Sequence, residues 1–259
     1  MTGQITRRLR PEDEELLRKR EELTAIRATL AERELGLIDF RSRLAAFEGS
    51  YLRQVGTLYA ELDEWKARIS QLRAQLNPSV AANARAEEAR EQARQTYGDA
   101  HGKASETLDF TPSPELRSLF REVAKRIHPD LSQDSGDLER RTRLMAEANR
   151  AYEAGDGETL QRVFDECQDG ADAVEGEGIG AELIRIIRQI SLARERVAAI
   201  ERELATLRQS EIALLKKQAE EREQDGRDLL AELVTAVREK IELARKEYEA
   251  LAKQEGKPA

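Results

Sequence analysis

Residues Leu9 to Leu76, LRPEDEELLRKREELTAIRATLAERELGLIDFRSRLAAFEGSYLRQVGTLYAELDEWKARISQLRAQL, carry the most regular pattern in the chain. Ten large apolar side chains follow one another there at intervals of seven residues: Leu9, Leu16, Leu23, Leu30, Leu37, Leu44, Tyr51, Leu58, Trp65 and Leu72. Such a sustained heptad is typical of a helix that buries one narrow seam in a coiled coil. Residues 1–78 are therefore predicted to form an N-terminal coiled-coil arm. An amphipathic helix in a compact bundle is the alternative, because bundles use the same seam.

A second apolar row lies beside the first and changes phase midway. It runs through Ile26, Phe40 and Phe47, and then through Val55, Leu62, Ile69 and Leu76. The shift falls near Gly49 and Gly56, where it predicts a stutter or a bend in the helix.

The C-terminal part of the chain repeats this pattern over residues 179–259. Its two rows are Leu183, Ile190, Val197 and Leu204, and Ile186, Ala193, Ile200, Leu207 and Leu214. The pattern weakens over residues 216–226 and resumes at Leu230, so a C-terminal coiled-coil arm is predicted. Two similar arms around a compact middle favour an antiparallel hairpin. Parallel homodimerisation through either arm, giving a homo-oligomer, is the competing arrangement.

Composition excludes several classes of protein. Charged residues make up 36% and aromatic residues 4%, which indicates long exposed helices rather than one large core, and the fold class is predicted to be all-α. A net charge of −8 argues against nucleic-acid binding. One cysteine and two histidines allow neither an intrachain disulfide nor a zinc site with the usual ligands, and no cofactor is expected. A polar start without any long apolar run predicts a cytoplasmic protein that does not bind membranes.

The region between the arms divides into three parts. Residues 79–111 combine a helical segment, 82–97, with a glycine-containing loop, 98–111. Residues 169–178 are predicted to be an acidic linker. Between them, residues 112–168 hold the most informative motif.

Residues 112–168 begin with a helix signal at Ser113 and Pro114, a capping hydroxyl followed by proline at the first helical position. The helix carries an apolar face and a basic stripe, the latter formed by Arg117, Arg121, Lys125 and Arg126. Pro129 ends it, and Asp137 is expected to cap a second helix that stops before Gly155. The inner face of that second helix is predicted to hold Leu138, Leu144, Met145, Ala148 and Tyr152. A short capped helix is expected over residues 156–164.

These residues resemble a J domain, the module of DnaJ-like co-chaperones. The run LRSLFREVAKRIHPD, residues 116–130, is similar to the second helix and the His-Pro-Asp loop of that family. The run MAEANRAYE, residues 145–153, is similar to its third helix, with the Asn-x-Ala-Tyr signature at Asn149, Ala151 and Tyr152. The first helix of the family is not visible before Ser113, so the domain is either abbreviated or completed by one of the arms.

The resemblance implies a partner and a set of site residues. The partner is a DnaK-type ATPase chaperone, whose ATP hydrolysis J domains accelerate. The implied chaperone-binding residues are His128, Pro129 and Asp130 in the loop, and Arg117, Arg121, Lys125 and Arg126 on the helix. The implied J-core is Leu116, Phe120, Val123, Ile127, Met145, Ala148 and Tyr152. The helix and loop from Pro114 to His128 hold four bases against two acids, which suits an acidic partner.

The sequence thus predicts a co-chaperone whose coiled-coil arms serve oligomerisation or recruitment of an unidentified client protein. It does not predict an enzyme, because no phosphate-binding loop, nucleophile elbow or metal-ligand cluster is found. A structural or adaptor coiled-coil protein with an inactive J-like element remains the alternative. In that case His128-Pro129-Asp130 is only a helix stop.

Overall fold

The computed structural model of the chain describes residues 10–102, 111–132, 135–168 and 178–255. All regular structure in these ranges is helical, which confirms the all-α prediction. The α-helices are α1 (Pro11–Tyr51), α2 (Thr57–Leu76), α3 (Val80–Gly102), α4 (Pro114–Ile127), α5 (Ser135–Glu153), α6 (Gly157–Gln168), α7 (Ile179–Arg208), α8 (Glu211–Gln224) and α9 (Leu229–Glu255). A π-helical turn, Leu52–Gly56, joins α1 to α2, and a 3-10 turn, Pro129–Leu131, follows α4.

The chain forms two compact units, and each predicted arm contributes to both. The first unit comprises Met1–Ser42 and Phe110–Arg208, and the second comprises Arg43–Asp109 and Gln209–Ala259. The predicted acidic linker, apart from Gly178, lies outside the described residues.

In the first unit α1 and α7 pack side by side along their heptad seams. The seam buries Leu16, Leu23, Leu30 and Leu37 of α1 with Ile186, Ile190, Ala193, Ile200 and Leu204 of α7. Polar pairs at a constant separation of 162 residues flank it, namely Arg20–Glu182, Arg27–Gln189, Glu34–Arg196 and Arg41–Glu203. Because both residue numbers of a pair rise together, the two helices run in the same direction.

The predicted antiparallel hairpin is therefore wrong for these helices. The long segment between α1 and α7 permits either relative direction, and the charges beside the seam favour the parallel one. Opposite charges at the flanking positions of a heptad meet in the parallel direction here, as they do in parallel helix pairs generally.

The second unit is built around α2. Helix α3 returns along α2 after the turn at residues 77–79, placing Thr96 Oγ1 3.0 Å from Asp63 Oδ2. Helix α9 packs on α2 through a cluster of buried aliphatic residues: Val55, Leu62, Ile69, Val237, Ile241 and Ala244. At its edge the rings of Trp65 and Tyr248 meet edge to face, 5.7 Å apart.

The phase shift of the first heptad stretch coincides with the π-helical turn. Between Phe47 and Val55 the second row is spaced by eight residues rather than seven, and a π turn accommodates one extra residue without ending the helix. The predicted irregularity near Gly56 is thus confirmed, in the form of a π turn.

The predicted loop over residues 98–111 is wrong for its first part, because α3 continues to Gly102. Ala100 is buried and lies close to Gly56, where a Cβ atom would stand 3.7 Å from the Ala100 Cβ. Packing against the π turn offsets the low helix propensity of the two glycines of α3. Residues 103–110 lie outside the described residues.

Candidate functional site

Helix α4 begins and ends where the sequence predicts. The Ser113 hydroxyl accepts a hydrogen bond from the Leu116 backbone N–H at 3.1 Å, and Pro114 occupies the first turn. Pro129 keeps the residue before it out of the helical region, so His128 adopts φ −55° and ψ 128°. The chain then makes the 3-10 turn that separates α4 from α5.

Helices α5 and α6 differ from the prediction in one cap. Helix α5 begins at Ser135, so Asp137 lies inside its first turn, where an acid is favoured by the helix dipole, and accepts a hydrogen bond from Arg141. Gly155 has a positive φ of 69° and follows the end of α5, as predicted. Asp156 caps α6 by accepting a hydrogen bond from the Thr159 backbone N–H at 2.9 Å.

The predicted J-core residues are all buried and lie in one cluster: Leu116, Phe120, Val123, Ile127, Met145, Ala148 and Tyr152. The rings of Phe120 and Tyr152 stand 4.8 Å apart at its centre. Leu138 differs from its prediction, because it is 43% exposed rather than part of the inner face of α5.

Helix α1 completes this cluster. It contributes Ala31, Leu35 and Ile38, which lie on one face of the helix, while the heptad leucines on another face pack against α7. The apolar surface of α4 and α5 is thus covered by a helix from the N-terminal arm. Whether this cover corresponds to the missing first helix of a J domain stays a prediction.

His128 is buried rather than exposed at the tip of its loop, with 3% of its surface accessible. Its Nδ1 accepts a hydrogen bond from the Asp130 backbone N–H at 3.2 Å. In the neutral ring the proton is therefore on Nε2, which donates to Glu34 Oε1 of α1 at 3.0 Å. The imidazole is thereby fixed in one tautomer and one orientation.

Glu34 connects the loop to both long helices. The oxygen that accepts from His128 also accepts from Arg196 Nε of α7 at 2.8 Å. Burial alone would raise the pKa of Glu34, but the hydrogen bonds from His128 and Arg196 outweigh it and hold that pKa below its usual range. Glu34 is therefore an ionised carboxylate at neutral pH, held between an imidazole and a guanidinium.

The rest of the loop is docked on the same helix pair. The Leu131 side chain is buried with the seam residues of α1 and α7, and its carbonyl accepts a hydrogen bond from Gln189 Nε2 at 3.1 Å. Pro129 and Asp130 remain partly exposed. The loop therefore presents its proline and aspartate outward, while its histidine and leucine face the protein.

The four predicted basic residues of α4 have different surroundings. Arg117 donates to Asp39 at 2.6 Å, and Arg121 donates to Glu32 at 3.3 Å, so both reach α1. Lys125 pairs with Glu122 of its own helix at 2.7 Å. Arg126 lies over the Phe164 ring of α6, 4.2 Å from its centre. Three of the four residues thus pair with acids of the same chain, two of them with acids of α1.

Asp39 is the second buried acid that α1 directs at this region. It accepts hydrogen bonds from the Tyr152 hydroxyl at 2.5 Å and from Arg117. Burial, together with the neighbouring Asp39 carboxylate, raises the pKa of Tyr152 above its ordinary value. Sequence reasoning missed Glu34, Asp39 and Arg196. The one signal that could have indicated Glu34 and Arg196 is their opposite charge at positions flanking the two heptad seams, 162 residues apart.

The lowered pKa of Glu34 predicts an acid-sensitive contribution to stability. A carboxyl group whose folded pKa is depressed stabilises the fold fully above its unfolded pKa of about 4.3, and this contribution is lost as the pH falls through the folded pKa. We expect Glu34→Gln to lower the free energy of unfolding at pH 7 by on the order of 1 kcal/mol. The difference in the free energy of unfolding between Glu34→Gln and the wild type should be smaller at pH 3 than at pH 7. Denaturant titrations at both pH values check this, and a difference that is independent of pH would contradict it.

No family model, no curated protein and no solved structure matches the chain. In the part of the chain that the structure describes, no helix has the length and apolarity needed to cross a bilayer. Across those same ranges, no three His, Cys, Asp or Glu side chains are grouped to hold a metal ion.

Proposed function

We propose that this protein is a co-chaperone that stimulates ATP hydrolysis by a DnaK-type chaperone through its His-Pro-Asp loop. The observation that supports the proposal is the helix pair α4–α5, which packs around Phe120 and Tyr152 and carries His128-Pro129-Asp130 in its short connection. The ATPase site belongs to the chaperone, and this chain supplies the surface that docks on the chaperone.

The charges of α4 support an acidic docking partner. Arg117 and Arg121 are 42% and 40% exposed. The Arg121–Glu32 pair is a surface ion pair worth about 0–1 kcal/mol, whereas Arg117 pairs with the buried Asp39. A surface ion pair exchanges partners at little cost. A carboxylate of a chaperone can therefore replace Glu32 at Arg121 without disturbing the core beneath.

The test is single-turnover ATP hydrolysis by a DnaK-type chaperone, with the wild-type protein and with His128→Gln. We expect the wild type to accelerate hydrolysis measurably and His128→Gln to lose that acceleration. His101→Gln is a matched control, because His101 is the only other histidine and lies in the second unit. Equal rates with and without wild-type protein would contradict the proposal, provided that circular dichroism shows a folded chain.

A structural or adaptor function is the second candidate, and the burial of His128 favours it. A histidine that is 3% exposed and bonded to Glu34 serves the fold whether or not a chaperone exists. In that case His128→Gln lowers the free energy of unfolding, and the ATPase rate is the same with wild type and variant.

A further inference from the structure

Three acids of α1, Glu32, Glu34 and Asp39, form what we call the α1 acidic face. Each contacts a residue that the J-domain resemblance implies to be chaperone-binding: Arg121, His128 and Arg117 respectively. We propose that the α1 acidic face is an internal docking surface that occupies the loop and α4 in place of the chaperone. This inference rests on the proposed function. It means that an acidic partner must compete with α1 for the same side chains.

The contacts of the α1 acidic face differ in how easily they exchange. The side chains of Arg117 and Arg121 are partly exposed, so an incoming carboxylate can reach them while they are still paired. His128 has no such access, because its ring is buried and both of its nitrogens are engaged. The contact between His128 and Glu34 is therefore the one that limits docking.

Arg196 strengthens this limiting contact. It donates to the same Glu34 oxygen as His128, so the carboxylate is neutralised and fixed from the side of α7. A buried carboxylate with two charged or polar donors is costly to separate from either of them. The loop is consequently held by α1 and α7 together.

The helix α1 itself does not need to leave for docking to occur. Ala31, Leu35 and Ile38 anchor it in the apolar core, and Glu34 lies at the edge of this apolar stripe, beside Ala31 and Ile38. The exchange involves the polar contacts of the loop and residues 128–131, including the Leu131 side chain that packs against the seam of α1 and α7. Docking therefore requires the loop to lift from α1 and α7 while α4 and α5 stay packed.

The test compares Glu34→Gln with Glu203→Gln in the single-turnover ATPase assay. Glu203 pairs with Arg41 one heptad further along the same helix pair, at the position equivalent to the Glu34–Arg196 pair, so it is a matched control. Loss of about one buried hydrogen bond shifts the equilibrium between the docked and the lifted loop by about fivefold. We therefore expect Glu34→Gln to stimulate hydrolysis about fivefold more than the wild type at subsaturating protein, and Glu203→Gln to match the wild type.

A second measurement reports the opening of the loop without a chaperone. In the His101→Gln background His128 is the only histidine, so its carbethoxylation by diethyl pyrocarbonate can be followed directly by mass spectrometry. We expect the reaction to be about fivefold faster when Glu34→Gln is added and unchanged when Glu203→Gln is added.

The outcomes separate the inference from the proposed function. Stimulation by the wild type that is not increased by Glu34→Gln overturns the inference and leaves the co-chaperone function standing. Absence of stimulation by the wild type and by Glu34→Gln, with faster modification of His128 in the variant, overturns the co-chaperone function and the inference with it. Greater stimulation together with faster modification supports both.

Discussion

Phe120→Ala is expected to lower the free energy of unfolding of the first unit by about 3–5 kcal/mol. Phe120 is fully buried, contacts the Tyr152 ring and lies in the cluster to which α1, α4, α5 and α6 all contribute. Truncation removes the apolar contacts of the ring and leaves a cavity, which the four surrounding helices fill only in part. Hydrogen exchange of peptides from α4 and α5, followed by mass spectrometry, measures the loss.

Leu138→Ala is the control for Phe120→Ala. Leu138 lies on α5 but is exposed. Its truncation should therefore lower the free energy of unfolding, obtained from the same exchange rates, by less than about 1 kcal/mol. Similar losses for the two variants would mean that Phe120 does not lie at the centre of the core.

Ile200→Ala is expected to cost about 2–5 kcal/mol, through the seam between α1 and α7. Ile200 is fully buried there, whereas Leu192 on the same helix is 46% exposed. We expect Leu192→Ala to change the free energy of unfolding by less than about 1 kcal/mol. Denaturant unfolding followed by far-ultraviolet circular dichroism compares the two variants. A small effect of Ile200→Ala would contradict the packing of α7 on α1.

The helices themselves could be predicted because their signals are local. Proline positions, the Ser113 cap and the heptad spacing each act within a few residues, and they set where α4 begins and where the long helices run. The coiled-coil character of the two arms stays a prediction.

The direction of α7 relative to α1 was predicted wrongly for a physical reason. A heptad defines which face of a helix is apolar, but it does not define the partner or the direction of pairing. The charges beside the seam hold that information. The flanking positions of α1 are, in order, Arg20, Arg27, Glu34 and Arg41. Those of α7 are Glu182, Gln189, Arg196 and Glu203. In the parallel order three of the four pairs have opposite charges, whereas in the reverse order only two do and Arg27 would face Arg196.

The candidate site likewise has features that the local sequence predicts and features that depend on contacts between distant residues. The sequence locates His128-Pro129-Asp130 between two helices, because the motif and its flanking helices are contiguous. It does not reveal that His128 is buried, because its partner Glu34 lies 94 residues earlier. Nor does it reveal the role of Asp39, whose contacts with Arg117 and Tyr152 depend on the packing of α1 against α4 and α5.

The order of these residues along the chain has a consequence for synthesis on the ribosome. Glu34 is made before His128, whereas Arg196 and the rest of α7 follow later, with 77 residues from Leu131 to the end of α7 at Arg208. At about 5–20 residues per second, that interval lasts about 4–15 s. A nascent chain can therefore form the contact between His128 and Glu34 before the guanidinium that reinforces it exists. The loop is least restrained while the ribosome is still translating.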